Sequence, residues 1–362
     1  MINEKILKNE EKAIFALRSL YKSYGYLPFK MSKFEEYDLY ASNKDFLVSD
    51  RVITFTDTDG KLLALKPDVT LSIIKNAAED KNIKNKVYYN ENVYRVSGST
   101  GQFKEIMQTG LECIGNTDLN DTLEVIYLAA KSLESVSPDY VLDISHMGIL
   151  SALLDEASDN ERFKKEIIVK IAEKNSHDAE ALCREYGISE ASTKTIVSLT
   201  SMYGSMNSVT EKLAPICTSG RAKAALYELR TVCDFLSREP FADKLRFDFS
   251  VVNDMSYYDG IVFKGFLAGI CEGVLSGGEY GKLLSAMGKD SGAVGFALYL
   301  DLLSELDSDL DEYDVDVLLV YDNTTARDVL FEKKTALISE GKSVSAQRSV
   351  PAKLRYRELI KL

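Results

Sequence analysis

Two segments, KVYYNENVYRV (86–96) and EIMQTGLECIG (105–115), lie on either side of a loop rich in glycine and serine. Both are dense in β-branched and aromatic residues, so they are expected to pair as antiparallel strands. This pairing constrains the chain more than any other feature, because strand side chains alternate between two faces. If QTGLECIG is extended, Gln108, Gly110 and Glu112 share one face. Gly110 then leaves open space between an amide and a carboxylate, as a small polar ligand lying flat on a sheet would need. The same parity brings Asp68 and Thr70 together if KPDVT is extended, with Arg95 on a neighbouring strand. The plain alternative is a set of solvated residues on an open sheet face.

The surrounding chain supplies the rest of a sheet and its helices. Ile14, Leu17, Leu20, Tyr21 and Tyr24 recur at helical spacing, and Gly25 suits the left-handed position after a helix end. GYLPFKMSKFEEYDLY has no clean period and is expected to be a loop or short strand. VITFTDTDGKLLALKPDVT alternates around Asp59-Gly60, a hairpin signal. Leu123, Ile126, Tyr127, Ala130 and Leu133 mark a helix, and residues 154–240 are mostly of helical spacing, with Phe163, Ile167, Ile168 and Ile171 on one stripe. From Lys244 the β character returns and runs through SYYDGIVF, the pair Gly277-Gly278 and GAVGFALYLDLL.

The expected organisation is therefore α+β: a discontinuous core of residues 1–153 and 241–304 with a helical insertion at 154–240. Seven of the twelve residues from Glu305 to Asp316 are acidic, a composition that self-repels and suits a surface linker. Residues 317–362 form a strand-helix-strand unit with a Lys/Arg-bearing tail, too small for an independent domain.

Composition excludes several function classes. The 56 acids against 44 Lys plus Arg give a net charge of −12, which disfavours a nucleic-acid partner. No apolar run reaches membrane-spanning length, and MINEKILKNEEK lacks the apolar centre of a signal peptide, so a cytoplasmic location without membrane contact is expected. Five scattered cysteines without a CxxC pair, with His146 and His177 the chain's two histidines, give little from which to build a metal site. Neither a metal nor a cofactor is expected. Both histidines are expected to be surface or packed residues, and the thiols to be reduced.

Taken in order, LKPDVT, NVYR, QTGLECIG, SYYDGIVF, Gly277-Gly278 and GAVGFAL resemble the motifs of histidyl-tRNA synthetase, a class II aminoacyl-tRNA synthetase, across roughly residues 1–303. The resemblance implies a class II core, an antiparallel sheet flanked by helices. It implies that Asp68, Thr70 and Gln108 hold the α-ammonium of histidine and that Glu112 and Tyr258, beside Tyr257, address the imidazole. Arg95 matches the arginine that can meet the ligand carboxylate. An ammonium needs acceptors and a nearby anion, and an imidazole is fixed through nitrogens at opposite ring edges, so the residue types agree with those roles.

The chain departs from this pattern where the family handles ATP. Asn253 stands in place of the arginine of the family's LVRGLDYY segment, and Leu302 falls at the arginine that ends motif 3, read here as a helix start. Ser97 occupies the acidic position of the motif 2 loop, Lys104 is left of its basic residues, and Ser32 falls at the motif 1 proline. Arg95 is the single arginine from Lys61 to Gly148, and none lies between Arg246 and Arg327. Losing one preorganised cation typically costs about 10²–10³ in rate, so no adenylating activity is expected.

A histidyl-tRNA synthetase-like chain with its amino-acid pocket kept and its ATP machinery degraded resembles the regulatory subunits of ATP phosphoribosyltransferase. That resemblance implies a non-catalytic homodimer within a hetero-oligomer. Its partner would be a short-form catalytic subunit of the first step of histidine biosynthesis, and its effector histidine. Two other readings stay open: a divergent histidyl-tRNA synthetase, and a stand-alone histidine-sensing module.

Overall fold

In the computed structural model the described residues are 7–47, 51–77, 83–96, 101–252, 257–306 and 313–362. They separate into two compact units, residues 1–306 and 307–362.

The first unit opens with α1 (Asn9–Ser23), which buries Ala13, Leu17 and Tyr21. It ends at Gly25, whose φ of 81° is open to glycine and strained for other residues. There follow β1 (Leu27–Pro28), β2 (Phe34–Glu36), α2 (Tyr37–Ala41), β3 (Thr54–Thr56), β4 (Leu62–Leu65) and α3 (Thr70–Asn76). The β3–β4 hairpin forms around Gly60 as expected, and β2 adds to its other edge. The 26–41 stretch holds a helical turn, α2, that the absence of periodicity had hidden. KPDVT is not extended: the chain turns into α3 at Thr70, with Asp68 Oδ1 accepting from Leu71 N at 2.8 Å. An aspartate satisfying an otherwise orphaned N–H at a helix start outcompetes a continued strand.

Next come β5 (Asn85–Val96), β6 (Phe103–Gly115), α4 (Leu119–Val136), β7 (Tyr140–His146) and α5 (Met147–Ala157). The helical stretch holds α6 (Glu161–Ala172), α7 (Ser176–Glu185), α8 (Glu190–Leu199), the short β8 (Tyr203–Gly204), α9 (Met206–Leu213) and α10 (Gly220–Leu236). The chain returns to the sheet with β9 (Leu245–Asp248), β10 (Ile261–Leu267), β11 (Leu275–Glu279), α11 (Gly281–Ala286) and β12 (Gly292–Tyr299).

These strands build one sheet, ordered β1-β5-β6-β12-β11-β10-β7-β9-β8. β5 and β6 pair antiparallel along their length, from Asn85 opposite Ile114 to Val96 opposite Phe103. The sheet is mixed, because β1 joins β5 and β9 joins β7 in parallel. GAVGFAL, expected to start a helix, is strand β12, and Leu302 falls in the short 3-10 turn Asp301–Leu306 beyond it.

One face of the sheet is covered by α4, capped by Asp118, whose side chain accepts from Asn120 N and Asp121 N. The buried stripe of this helix runs through Val125, Ile126, Ala129, Ala130 and Leu133. Close approach to β10 requires Gly265, where a Cβ would lie 2.6 Å from Leu133 Cδ1. Truncating Leu133 would cost about 2–5 kcal/mol by the usual core penalty. Helices α6 to α10 do not form a separate core: Phe163, Ile167, Leu213 and Leu229 share one hydrophobic cluster with Leu142, Ile144 and Phe263 of the sheet.

The second unit has β13 (Val315–Val320), α12 (Arg327–Ser339), β14 (Val344–Gln347) and β15 (Tyr356–Lys361). Its three strands are parallel in the order β14-β13-β15, and Leu330 and Leu337 of α12 pack on Val317 and Leu319. The Lys/Arg-bearing tail is thus a third strand. The acidic linker is also shorter than expected: Glu305 belongs to the 3-10 turn and Asp316 to β13. Asp314 is paired with Arg355, and Asp316 accepts from Ser343. Residues 307–312 lie outside the described residues.

Candidate functional site

On the sheet face away from α4 lies a cavity of about 350 Å³. Its floor is set by the β6–β12 register, which puts Gln108 opposite Tyr299, Gly110 opposite Ala297 and Glu112 opposite Gly295. All of these but Gly110 line the cavity. Gly295 has to be glycine, since a Cβ there would lie 1.7 Å from Glu112 Oε2. At Gly110 a Cβ would meet Phe296 O at 2.2 Å and the Tyr89 hydroxyl at 2.6 Å. The expected gap between Gln108 and Glu112 is therefore occupied in part by Tyr89, the cross-strand partner of Gly110.

One side of the cavity comes from Asp68, Val69 and Thr70 at the start of α3, with Arg95 from β5. The other is aromatic: Tyr257, Tyr258 and Tyr280, with ring centroids 4.5 Å apart for Tyr257–Tyr258 and 5.7 Å for Tyr257–Tyr280. Asp68, Thr70, Arg95, Gln108, Glu112, Tyr257 and Tyr258, drawn from four separate segments, thus meet on one cavity. Tyr89 and Tyr280 were missed. The first was legible as the aromatic facing a strand glycine, while the second depends on where β11 turns.

The polar groups are strongly desolvated. Glu112 is 3% exposed. Burial pushes its pKa up to about 8, against the pull of hydrogen bonds from Tyr280 and Thr70, and the charge of Asp68 raises it further. Thr70 Oγ1 donates to Glu112 Oε1 at 3.0 Å, and the Tyr280 hydroxyl donates to Oε2. Asp68 is also raised, by burial first, while the Leu71 N–H and the Arg95 charge lower it. Desolvation holds the phenols of Tyr89, Tyr257, Tyr258 and Tyr280 well above their ordinary value, so all four are neutral donors.

Two features call for a partner. Gln108 Nε2 is buried and without a hydrogen-bond partner, an arrangement that costs about 1–3 kcal/mol. Two carboxyl groups face one guanidinium, because Arg95 is the one cation lining the cavity among the described residues. Its Nε donates to Pro67 O at 2.9 Å, which fixes the guanidinium beside Asp68. A zwitterion suits this set: a cationic group beside the carboxyls, an anionic group by Arg95, and an acceptor for the amide.

Among the described residues, Leu302 and Lys104, two of the positions expected to depart from the ATP-handling pattern, do not line the cavity. Leu302 packs against the main hydrophobic core, and Lys104 is exposed. Asn253 and Ser97 lie outside the described residues. His146 is buried and structural: its Nδ1 accepts from Gly148 N at the start of α5, and Nε2 meets Glu228 at 3.0 Å. His177 is exposed on α7. Among the described residues no group of three His, Cys, Asp or Glu is placed to hold a metal ion, and no helix is long and apolar enough to cross a membrane.

The model of the histidyl-tRNA synthetase family matches residues 2–303. A protein of Clostridium acetobutylicum named ATP phosphoribosyltransferase regulatory subunit is 29% identical over 94% of this chain and 86% of its own length. Among solved structures, an ATP phosphoribosyltransferase regulatory subunit/histidyl-tRNA synthetase from Bacillus halodurans superposes with a TM-score of 0.77 at 23% identity, covering 98% of this chain and 93% of the other. A chain of the ATP phosphoribosyl transferase (HisG:HisZ) complex from Thermotoga maritima gives 0.64 at 21% identity, covering 80% of this chain and 97% of the other. At these identities the two structures establish a shared fold.

Proposed function

The chain belongs to the histidyl-tRNA synthetase family, and from that membership we propose that it is a non-catalytic regulatory subunit of ATP phosphoribosyltransferase. It acts with a short-form catalytic subunit in the first step of histidine biosynthesis and carries feedback inhibition by histidine. The observation that carries this reading is the near full-length similarity to proteins named as that regulatory subunit, and it is supported by a cavity lined by Asp68, Thr70, Arg95, Gln108, Glu112, Tyr257 and Tyr258. Asp68, Thr70 and Gln108 Oε1 accept from the α-ammonium, Arg95 and Gln108 Nε2 donate to the carboxylate, and Glu112 with Tyr257 and Tyr258 takes the imidazole.

Burial is the source of selectivity. A ligand that leaves Gln108 or Glu112 unpaired forfeits the polar contacts that offset their desolvation, so analogues without a ring nitrogen are rejected. Inhibition then requires only that histidine favour one arrangement of subunit contacts by about 1–3 kcal/mol. Loss of adenylation is consistent with Leu302 and Asn253 replacing the two arginines, since no cation other than Arg95 lines the cavity among the described residues. Homodimerisation within the hetero-oligomer completes the proposal.

Reconstitution tests it. The purified chain is mixed with a short-form catalytic subunit and assayed for condensation of ATP with phosphoribosyl pyrophosphate. The proposal expects stimulation by the chain and inhibition by histidine. Histidine-dependent pyrophosphate exchange by the chain alone would establish a synthetase in its place. Absence of both stimulation and exchange, with histidine bound, would leave the stand-alone sensor.

A further inference from the structure

The aromatic side of the cavity is carried by two turns, one ahead of β10 with Tyr257 and Tyr258, the other after β11 with Tyr280. Glu279 ends β11 and sends its side chain to the opposite face from Ser276 and Tyr280. There Oε1 accepts from Thr122 Oγ1 of α4 at 2.6 Å and Oε2 accepts from Ile261 N at 2.6 Å. Burial raises the pKa of the Glu279 carboxyl, while the hydrogen bonds from Thr122 and Ile261 lower it. The fit leaves no room at Gly260, where a Cβ would lie 2.0 Å from Glu279 Oε2. Asp259 returns the contact: Oδ1 and Oδ2 accept from Gly281 N at 3.3 Å and Lys282 N at 3.0 Å, and Asp259 N donates to Glu279 O at 3.2 Å. Each turn therefore supplies a carboxylate that grips the backbone of the other.

We infer that Glu279, with Asp259, is a positioning residue that fastens the Tyr257–Tyr258 turn to the Tyr280 turn and so sets the aromatic side of the ligand cavity. Neither carboxylate lines the cavity itself. Glu279 acts through the tyrosines, and its effect on histidine rests on the reading of the cavity given above.

The test uses the full chain and two readouts. Amide hydrogen exchange over residues 257–261 of the ligand-free protein reports the fastening directly, and calorimetric titration with histidine reports its consequence. Glu279→Ala removes both acceptors, and the expected result is exchange about tenfold faster over 257–261 with 108–114 unchanged, and histidine bound about tenfold more weakly. Glu279→Gln is expected to behave as the wild type, because its oxygen accepts from Ile261 N while its amide donates to the Thr122 hydroxyl oxygen. Asp259→Asn, at the other half of the grip, is expected to give the same localised acceleration in smaller degree, and decides the matter if Glu279→Ala does not fold. Wild-type exchange in Glu279→Ala and Asp259→Asn, equal acceleration over 108–114, or a Gln variant as impaired as Ala would overturn the inference. A wild-type chain that takes up no histidine, with exchange still localised, overturns the proposed ligand and leaves the fastening standing.

Discussion

Thr70 and Glu112 are joined by a 3.0 Å hydrogen bond that ties the first residue of α3 to the C-terminal half of β6. Tyr280 occupies the other carboxyl oxygen. Glu112 is thus held by two neutral hydroxyls in a desolvated site, and its charge is stabilised fully only when a ligand brings a positive group or a ring N–H to it.

That arrangement sets a pH dependence of the ligand-free protein. Glu112 has a folded pKa of about 8, above the ordinary 4.5, so between those values the folded state binds the extra proton. Its stabilising contribution is complete below pH 4.5 and is lost as the pH rises through about 8, at a rate on the order of 1 kcal/mol per pH unit. Asp68 is shifted in the same direction. Denaturant midpoints measured from about pH 5 to about pH 8 are expected to fall in the wild type and to flatten in Glu112→Gln. Superimposable profiles would refute the assignment.

Glu112→Ala is expected to abolish histidine inhibition of the assembled complex while leaving assembly intact, because the carboxyl faces the cavity among other lining residues. Size-exclusion chromatography and inhibition curves separate the two effects. Inhibition at the wild-type histidine concentration would move the effector to another site.

Gln108→Leu separates stability from binding. The unpartnered Nε2 contributes nothing to the empty protein, so replacing it is expected to leave the melting midpoint unchanged or raised by up to about 1 kcal/mol of stability. Histidine affinity is expected to fall about tenfold or more. A variant that binds as the wild type would show that the amide does not face the ligand.

Gly295→Ala places a methyl group 1.7 Å from Glu112 Oε2 and 2.5 Å from Leu111 O. The backbone oxygen cannot yield as a side chain does, so a loss of about 1–3 kcal/mol is expected, with loss of histidine binding. Thermal melts and titration would check both, and an unaltered melt would mean that β6 and β12 are not held at this spacing.

Restoring arginine at Asn253 is expected to give no pyrophosphate exchange. One cation is worth about 10²–10³ in rate, and on the proposed reading Leu302, which packs against the hydrophobic core, stands where a second would be needed. Exchange above background in Asn253→Arg would show that a single substitution had silenced the site.

The sheet was legible where alternation was strong. β5 and β6, the Gly60 hairpin and the helix ending at Gly25 follow from local pattern, and the shared face of Gln108 and Glu112 follows from strand parity alone. Asp68 and Thr70 reach the cavity by a different route from the one expected, a helix start rather than a strand. The signal for it was present, because an aspartate ahead of the apolar run LSII is a helix-start pattern. Tyr280 was not legible, since its approach to Glu112 spans 168 residues and depends on how β11, β12 and β6 are ordered. The mutual grip of Glu279 and Asp259 belongs to the same kind: charges on adjacent turns say nothing until the turns are brought side by side.

Because helices α6 to α10 and the sheet share one hydrophobic cluster, the middle of this chain is not a detachable module. Excising residues 154–240 would take α10 away from α4 and α5, the helices that back β10, the strand that follows the tyrosine turn. A shortened relative lacking those helices would have to rebuild that backing before it could keep a ligand-shaped hollow on the far side.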